Sequence, residues 1–349
     1  MKSTAVRGPV SRTASEGRQS KILVIGGGIA GMSASSALSS LGHSVSLIER
    51  EGTLGGRASR LNCLLPDLRP ASEIVAPIVD RALGDGNIDV ILSREVVSLG
   101  RDGARHFAEL DDGRRIEADA IVIATGLEGV PAALVPEFGH GLRRNVLTAQ
   151  ELEERLAGYG PLVDGDLRSA VFIQCVGSRT ERRGVPYCSA LCCANSIKNA
   201  LALKKKDAFM DVTVLYIDIR AAGAGQEALY RDARRNGVRF IRGQPSLVTE
   251  KNGRLLVCGE NTLLRELYEI PADLVVLANG LRQSPSNLLM LDEMGIIQGV
   301  TGFPDADSSR TETEGIFLAG TAKGPMDVRT AVRDAKACAM DVHERLSGP

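Results

Sequence analysis

The sequence predicts an α/β chain of two similar parallel-sheet domains, the second inserted in the first. Three observations predict it. An apolar run, Lys21–Ile25, passes through the glycine-rich turn Gly26–Gly31 into a helical stretch to about Leu41, and a second run, Ser44–Ile48, ends on Glu49. The segment Asp119–Gly126, D-A-I-V-I-A-T-G, returns as Asp273–Gly280, D-L-V-V-L-A-N-G. Each copy is an acid, a buried strand, a small residue and a glycine. Beyond the second copy, Gly315–Gly320 is one more strand closing on glycine, which takes the chain back to the unit it began.

These units read as dinucleotide-binding-like, Rossmann-type domains. The first takes residues 20–160 and 281–349, the insert takes 161–280, and residues 1–19 form a flexible arm. Gly158–Gly165 is the expected link in, and Ser284–Asn287 the link out. A length of 349 residues suits two domains, and 44% hydrophobic content supplies their cores. The net charge of -1 gives no overall attraction for nucleic acid. Aromatics at 3%, with no Trp, disfavour a stacking platform for single strands or sugars. No apolar run is long enough to span a bilayer, and residues 1–19 lack the apolar core of a secretory signal. Seven cysteines without export point to a reducing cytoplasm, where clustered thiols bind metal or do redox work.

Along the first domain, Gly26, Gly28 and Gly31 satisfy G-x-G-x-x-G. They serve, in turn, the tight turn, close approach of a pyrophosphate, and helix–strand packing. The helix N-terminus offers free N–H groups to phosphate, and Glu49 stands where it can accept from ribose hydroxyls. Leu54–Arg57, L-G-G-R, supplies a glycine pair and an arginine for a second pyrophosphate contact. Cys63–Pro77 reads as a mixed loop with three prolines, and residues 88–118 as short strands with a hairpin at Asp111–Gly113. Near the C-terminus, Asp327 is a fair N-cap for a final helix through Asp341.

The insert departs from the first domain at its own turn. After the strand Ala170–Ile173 there is no G-x-G-x-x-G; Cys175–Cys193 stands there, with the spacing C-x12-C-x3-C-C. The insert is therefore expected to lack a dinucleotide site. Leu191, Ala194, Ile197 and Leu201 recur at helical period. A helix starting near Cys188 would set Cys188 and Cys192 one turn apart on one face, with Cys193 beside them and Cys175 at the strand end. Four thiols without a nearby His suit an iron–sulfur cluster or a structural zinc; a disulfide pair and packed free thiols are the other readings. Zinc usually takes two separated C-x2-4-C pairs, which fits this spacing poorly. Cys63, Cys258 and Cys338 stand apart and are expected to be dispensable.

Glu49, Leu54–Arg57, the Thr125-Gly126 pair and the Gly320 strand together resemble the two-dinucleotide-fold flavoproteins, the thioredoxin reductase-like group. The redox C-x-x-C of that group is absent. I-Q-C-V-G-S-R at Ile173–Arg179 and P-Y-C-S-x-x-C-C at Pro186–Cys193 resemble a narrower family, the A subunits of heterodisulfide reductases. So do Tyr216–Arg220, Gly237–Gly243 and Ala319–Pro325, and the resemblance covers about residues 20–345.

The resemblance implies FAD in the first domain and a [4Fe-4S] cluster on Cys175, Cys188, Cys192 and Cys193. It also implies a homodimeric core working with the B and C subunits of heterodisulfide reductase. The expected FAD contacts are Gly26, Gly28, Ile29, Ala30, Gly31, Glu49 and Arg50 around the first turn. Gly55, Gly56, Arg57, Val97, Thr125 and Gly126 follow. Gly320, Lys323, Asp327, Thr330 and Ala331 close the site, with the amides of Thr330–Val332 facing the flavin pyrimidine.

Two departures from the family matter. The chain has no ferredoxin-like C-x2-C-x2-C run, and Met326 stands where the family carries a Lys. Both predict a chain that does not bifurcate electrons. This short form is similar to the heterodisulfide reductase-like complexes of sulfur oxidisers. That implies electron transfer in cytoplasmic sulfur oxidation, with a lipoate-binding protein as sulfur carrier. The rival readings are an NAD(P)H-dependent flavin disulfide reductase and a non-catalytic scaffold with bound flavin.

Overall fold

A computed structural model describes residues 19–304 and 308–348; residues 1–18 of the expected arm lie outside them. Two five-stranded sheets carry the fold. The first runs in the order Ile316–Leu318, Ala120–Ile123, Lys21–Ile25, Ser44–Glu49, Ile88–Leu92, with every pairing parallel. The second runs Val146–Thr148, Leu274–Asn279, Ser169–Val176, Asp211–Tyr216, Arg239–Arg242, again all parallel. The two orders correspond strand by strand. Parallel strands covered on both faces are apolar throughout, which is why these runs do not alternate.

The echoed acid has a structural reason. Lys21 N–H donates to Asp119 at 2.8 Å, and Arg168 N–H donates to Asp273 at 3.0 Å. In each sheet the aspartate ties the start of the central strand to its neighbour. One core packs Val24, Leu47 and Val122 against the helices Ile29–Ser40 and Val328–Ser347. The other packs Phe172, Val214 and Val276 against Cys192–Lys206. Each unit also carries a three-stranded antiparallel meander, Val96–Ala118 and Leu247–Ala272. Among the described residues, no helix is long and apolar enough to cross a membrane.

The chain crosses between the units on two short strands, Glu128–Gly129 and Leu281–Arg282, paired antiparallel. Arg282 and Glu128 lie 2.7 Å apart across that pairing. The edge strand Val146–Thr148 and the helix Ala149–Leu156 sit with the second sheet, although the expected boundary at residue 160 put them in the first domain. Three residues of strand paired with Val275–Leu277 leave little local trace.

The expected loop Cys63–Pro77 ends earlier. Cys63–Leu64 and Arg69–Pro70 form a hairpin, and Ala71–Gly84 is a helix that contains Pro77. The burial of Ala71, Val75 and Ala82 outweighs the one backbone bond that Pro77 removes. The expected link Ser284–Asn287 is a helix start: Ser284 caps Pro285–Glu293, accepting from Asn287 N–H at 3.2 Å, with Pro285 in the first turn. The final helix runs on to Ser347.

Candidate functional site

The first site forms where the Lys21–Ile25 strand meets the Ile29–Ser40 helix. Gly26 has φ +106°, and a Cβ on it would lie 2.5 Å from Ala124 O. A Cβ on Gly31 would lie 1.8 Å from Gly26 O, so this glycine is what lets the helix pack against the turn. Gly28 differs: a Cβ there meets nothing within 4 Å. It is the N-cap of the helix, no side chain caps it, and the first turn holds no acid. The helix therefore offers its N–H groups to an open space, as phosphate binding needs. Ile29 and Ala30 are buried at that helix start.

Glu49 is buried and holds the turn from behind, accepting from Gly27 N–H at 2.6 Å and Glu51 N–H at 2.9 Å. The L-G-G-R loop lies against the same turn. Gly55 N–H donates to Gly27 O at 2.9 Å, and a Cβ on Gly56 would stand 3.1 Å from Gly28 Cα. Arg57 opens onto solvent yet is crowded by protein, which pulls its pKa down, while Cys192, Glu153 and Glu154 act the other way. A cleft beside the turn is lined by Arg50, Glu49, Val96, Thr125, Asn287 and Met290 among others. Thr125 Oγ1 is buried there without a partner. Gly126 turns at φ +79° and passes close to Thr321.

Four expected contacts, Val97, Thr330, Ala331 and Lys323, have exposure or partners of their own. Val97 is 57% exposed, and its neighbour Val96 lines the cleft, because successive strand residues face opposite ways. Thr330 N–H donates to Asp327 Oδ1 at 2.7 Å and Ala331 N–H to Asp327 O at 2.9 Å, so these amides are taken by the cap. The amides of Val328 and Arg329 precede the first helical bond and are the ones left over. Lys323 pairs with Asp334, whose other oxygen accepts from Gly320 N–H at 2.6 Å. Sequence reading missed Val96, Ser286, Asn287 and Met290; the Ser-Pro pair at Ser284-Pro285 was the signal for the helix that carries the last three.

The second site occupies the equivalent place in the second sheet. Cys175 stands one residue before the end of its strand at φ +58°, where pairing with Leu274–Asn279 shifts register. Cys188 lies in a loop, and the helix begins at Cys192, so the expected shared helical face of Cys188 and Cys192 does not form. Ala190, at φ +56°, breaks the helical path between them. Bonds to the crossing strand fix this loop: Tyr187 O–H donates to Leu281 O and Leu281 N–H to Ser189 Oγ, both at 2.8 Å.

Cys192 feels the other three cysteines of the block. The Cys192 thiol points at Asn279 O, 3.3 Å away, and Cys193 at Asp218 O, 3.6 Å away. Burial, then the neighbouring thiols, pushes Cys192 up to about 12. Cys175 and Cys193 are also raised, by burial first. All seven cysteines are free. Among the described residues, no three His, Cys, Asp or Glu stand close enough to share a single ion. Cysteines buried beside one another ionise only where positive charge stands near them.

Comparison with known proteins bears on the fold and the family. Residues 20–173 match the family model for pyridine nucleotide-disulphide oxidoreductases. Thioredoxin reductase from T. acidophilum superposes with a TM-score of 0.70 at 18% identity, covering 95% of this chain and 100% of that one. The Lactococcus lactis enzyme gives 0.70 at 19%, covering 94% and 99%. At that identity the likeness concerns the fold. Fold and site together define the class: an oxidoreductase of the two-domain flavoprotein kind.

More particularly, the chain is a homologue of the heterodisulfide reductase A subunits. It is 30% identical to the iron-sulfur A subunit of the CoB–CoM heterodisulfide reductase of Methanocaldococcus jannaschii, over 92% of this chain and 63% of that protein. It is 38% identical to the A subunit of the H2/formate-dependent CoB-CoM heterodisulfide, ferredoxin reductase of Methanococcus maripaludis, over 65% of this chain and 37% of that protein. The chain thus spans less than two thirds of the length of these relatives.

Proposed function

We propose that the chain is the FAD- and [4Fe-4S]-binding electron-transfer subunit of a heterodisulfide reductase-like complex. The observation that carries this reading is the insert's turn, where the four cysteines of the Cys175–Cys193 block stand in place of a phosphate-binding glycine loop. FAD supplies one- or two-electron exchange when bound, and the cluster passes single electrons.

The chain's own residues bind and orient. The Ile29 helix start and Arg57 meet the pyrophosphate, Glu49 the ribose, and Thr125 and Gly126 the inner end of the cleft. The amides of Val328 and Arg329, rather than those expected at Thr330 and Ala331, would face the flavin pyrimidine. Lys323 is paired with Asp334 and Met326 is uncharged, so neither supplies a free cation at that end, which supports electron transfer without bifurcation.

In this reading the core is a homodimer in the cytoplasm, the B and C subunits of the complex are the partners, and sulfur oxidation with a lipoate-binding protein is the setting. Domain bounds follow the crossing strands: 128–282 is the insert, and the remainder binds FAD. The test is anaerobic purification with flavin and iron counted. One FAD and about four irons per chain are expected for a four-iron site. Flavin reduction by NADH or NADPH should be slow; fast stoichiometric reduction by either would favour the disulfide reductase reading instead.

A further inference from the structure

Two buried charges in the insert grip a backbone segment of the other domain. Lys198 lies on the helix that opens with Cys192 and Cys193, and Glu153 on Ala149–Leu156. Their side chains are 1% and 4% exposed, with Lys198 Nζ 2.6 Å from Glu153 Oε1. That approach is off the hydrogen-bond direction, so it is a contact of charge. The directed bonds leave the insert. Lys198 Nζ donates to Cys63 O at 2.7 Å, and Asn62 N–H donates to Glu153 Oε2 at 3.0 Å.

Asn62 and Cys63 belong to the FAD-binding part. They follow the Gly56–Ser59 turn that carries Arg57, and Asn62 O accepts from Ala71 N–H at 3.2 Å. Just beyond, Leu65 packs against the insert's core, and Pro66 lies beside Gly225. The two crossing strands are two residues each, and a link of that size leaves domains free to turn against one another. A buried ion pair adds little stability over apolar residues of the same volume. What Glu153 and Lys198 provide that such residues cannot is an acceptor for Asn62 and a donor for Cys63.

We propose that Glu153 and Lys198 are positioning residues that lock the insert against the FAD-binding domain, fixing the Cys192 helix relative to Arg57. The lock stands on these contacts alone; its service to electron transfer rests on the proposed flavin and cluster function. Two double variants of the full chain test it. Glu153→Leu with Lys198→Met fills the space without polarity. Glu153→Lys with Lys198→Glu keeps an ion pair, but turns a donor toward Asn62 N–H and an acceptor toward Cys63 O.

Hydrogen exchange is read at residues 61–66, with 170–176 as the internal control. Both variants should raise exchange at 61–66 by at least about tenfold, the scale set by losing charge-assisted bonds, and leave 170–176 unchanged. Electron passage from photoreduced flavin to the cluster should slow in both. Wild-type protection at 61–66 in the reversed pair would overturn the proposal, since the pair would then serve only the insert's own packing. Exchange needs no iron, so a protein that never holds a cluster would sink the functional reading while still deciding the lock.

Discussion

Replacing Gly28 by Ala separates cofactor binding from folding. Its backbone, at φ -74° and ψ -176°, is ordinary for any residue, and the added Cβ meets nothing within 4 Å. The apoprotein should keep wild-type stability to within about 0.5 kcal/mol, with a slight gain because alanine narrows the unfolded ensemble. The methyl group stands in the space that a pyrophosphate needs beside the helix N-terminus. Spoiling two charge-assisted phosphate bonds at roughly 1.5 kcal/mol each weakens flavin affinity by about a hundredfold. Gly31→Ala is the control. Its Cβ would lie 1.8 Å from Gly26 O, so the turn itself must move, which costs about 1–3 kcal/mol of apoprotein stability as well as flavin. The assay is titration of apoprotein with FAD, beside thermal unfolding followed by circular dichroism. A Gly28→Ala protein that binds FAD as wild type does would refute the reasoning, since no cofactor could then lie against this turn.

Val97→Ala should leave flavin affinity within about twofold, the range of a neutral surface change, whereas Val96→Asp, facing the cleft, should weaken it in the same titration. Asp327→Ala removes the N-cap of the last helix and should cost about 1 kcal/mol, read as a lower midpoint of thermal unfolding. The His43–His343 pair, 2.9 Å apart, gives a pH signature. Burial, then the neighbouring His343, lowers the His43 pKa below its ordinary value. Its contribution to stability is therefore complete above about pH 6.5, the unperturbed value, and is lost as pH falls below it. Denaturant midpoints measured across that window should drop toward acid, and the slope should flatten in His43→Gln; an unchanged slope would show that the pair is silent.

The two sheets were legible because their signals are local. The Gly26–Gly31 turn carries its glycines in one short stretch, although Gly26 needs its own against the distant Ala124, and the Asp119 and Asp273 echo marks one repeated strand cap. What escaped depends on distance or on parity. The start of the Cys192 helix hangs on one left-handed residue, Ala190. Val97 was named without Val96, which lines the cleft, since period-two patterning does not say which parity faces a cleft formed by other segments. The grip of Glu153 and Lys198 on Asn62 and Cys63 joins three separate stretches, and none of them shows it alone.

The central claim is that four cysteines hold one cluster apart from the flavin. It is tested most directly by counting iron and recording the low-temperature EPR spectrum of reduced protein in single Cys→Ser variants made without oxygen. Changes at Cys175, Cys188, Cys192 or Cys193 should abolish the iron and the reduced-cluster signal while FAD stays bound. Changes at Cys63, Cys258 or Cys338 should keep about four irons per chain, as a four-iron site requires, although Cys338→Ser, fully buried, should lower thermal stability. Wild-type protein that takes up no iron after reconstitution with iron and sulfide would contradict the account, and the Cys175–Cys193 block would then be a thiol redox or packing element.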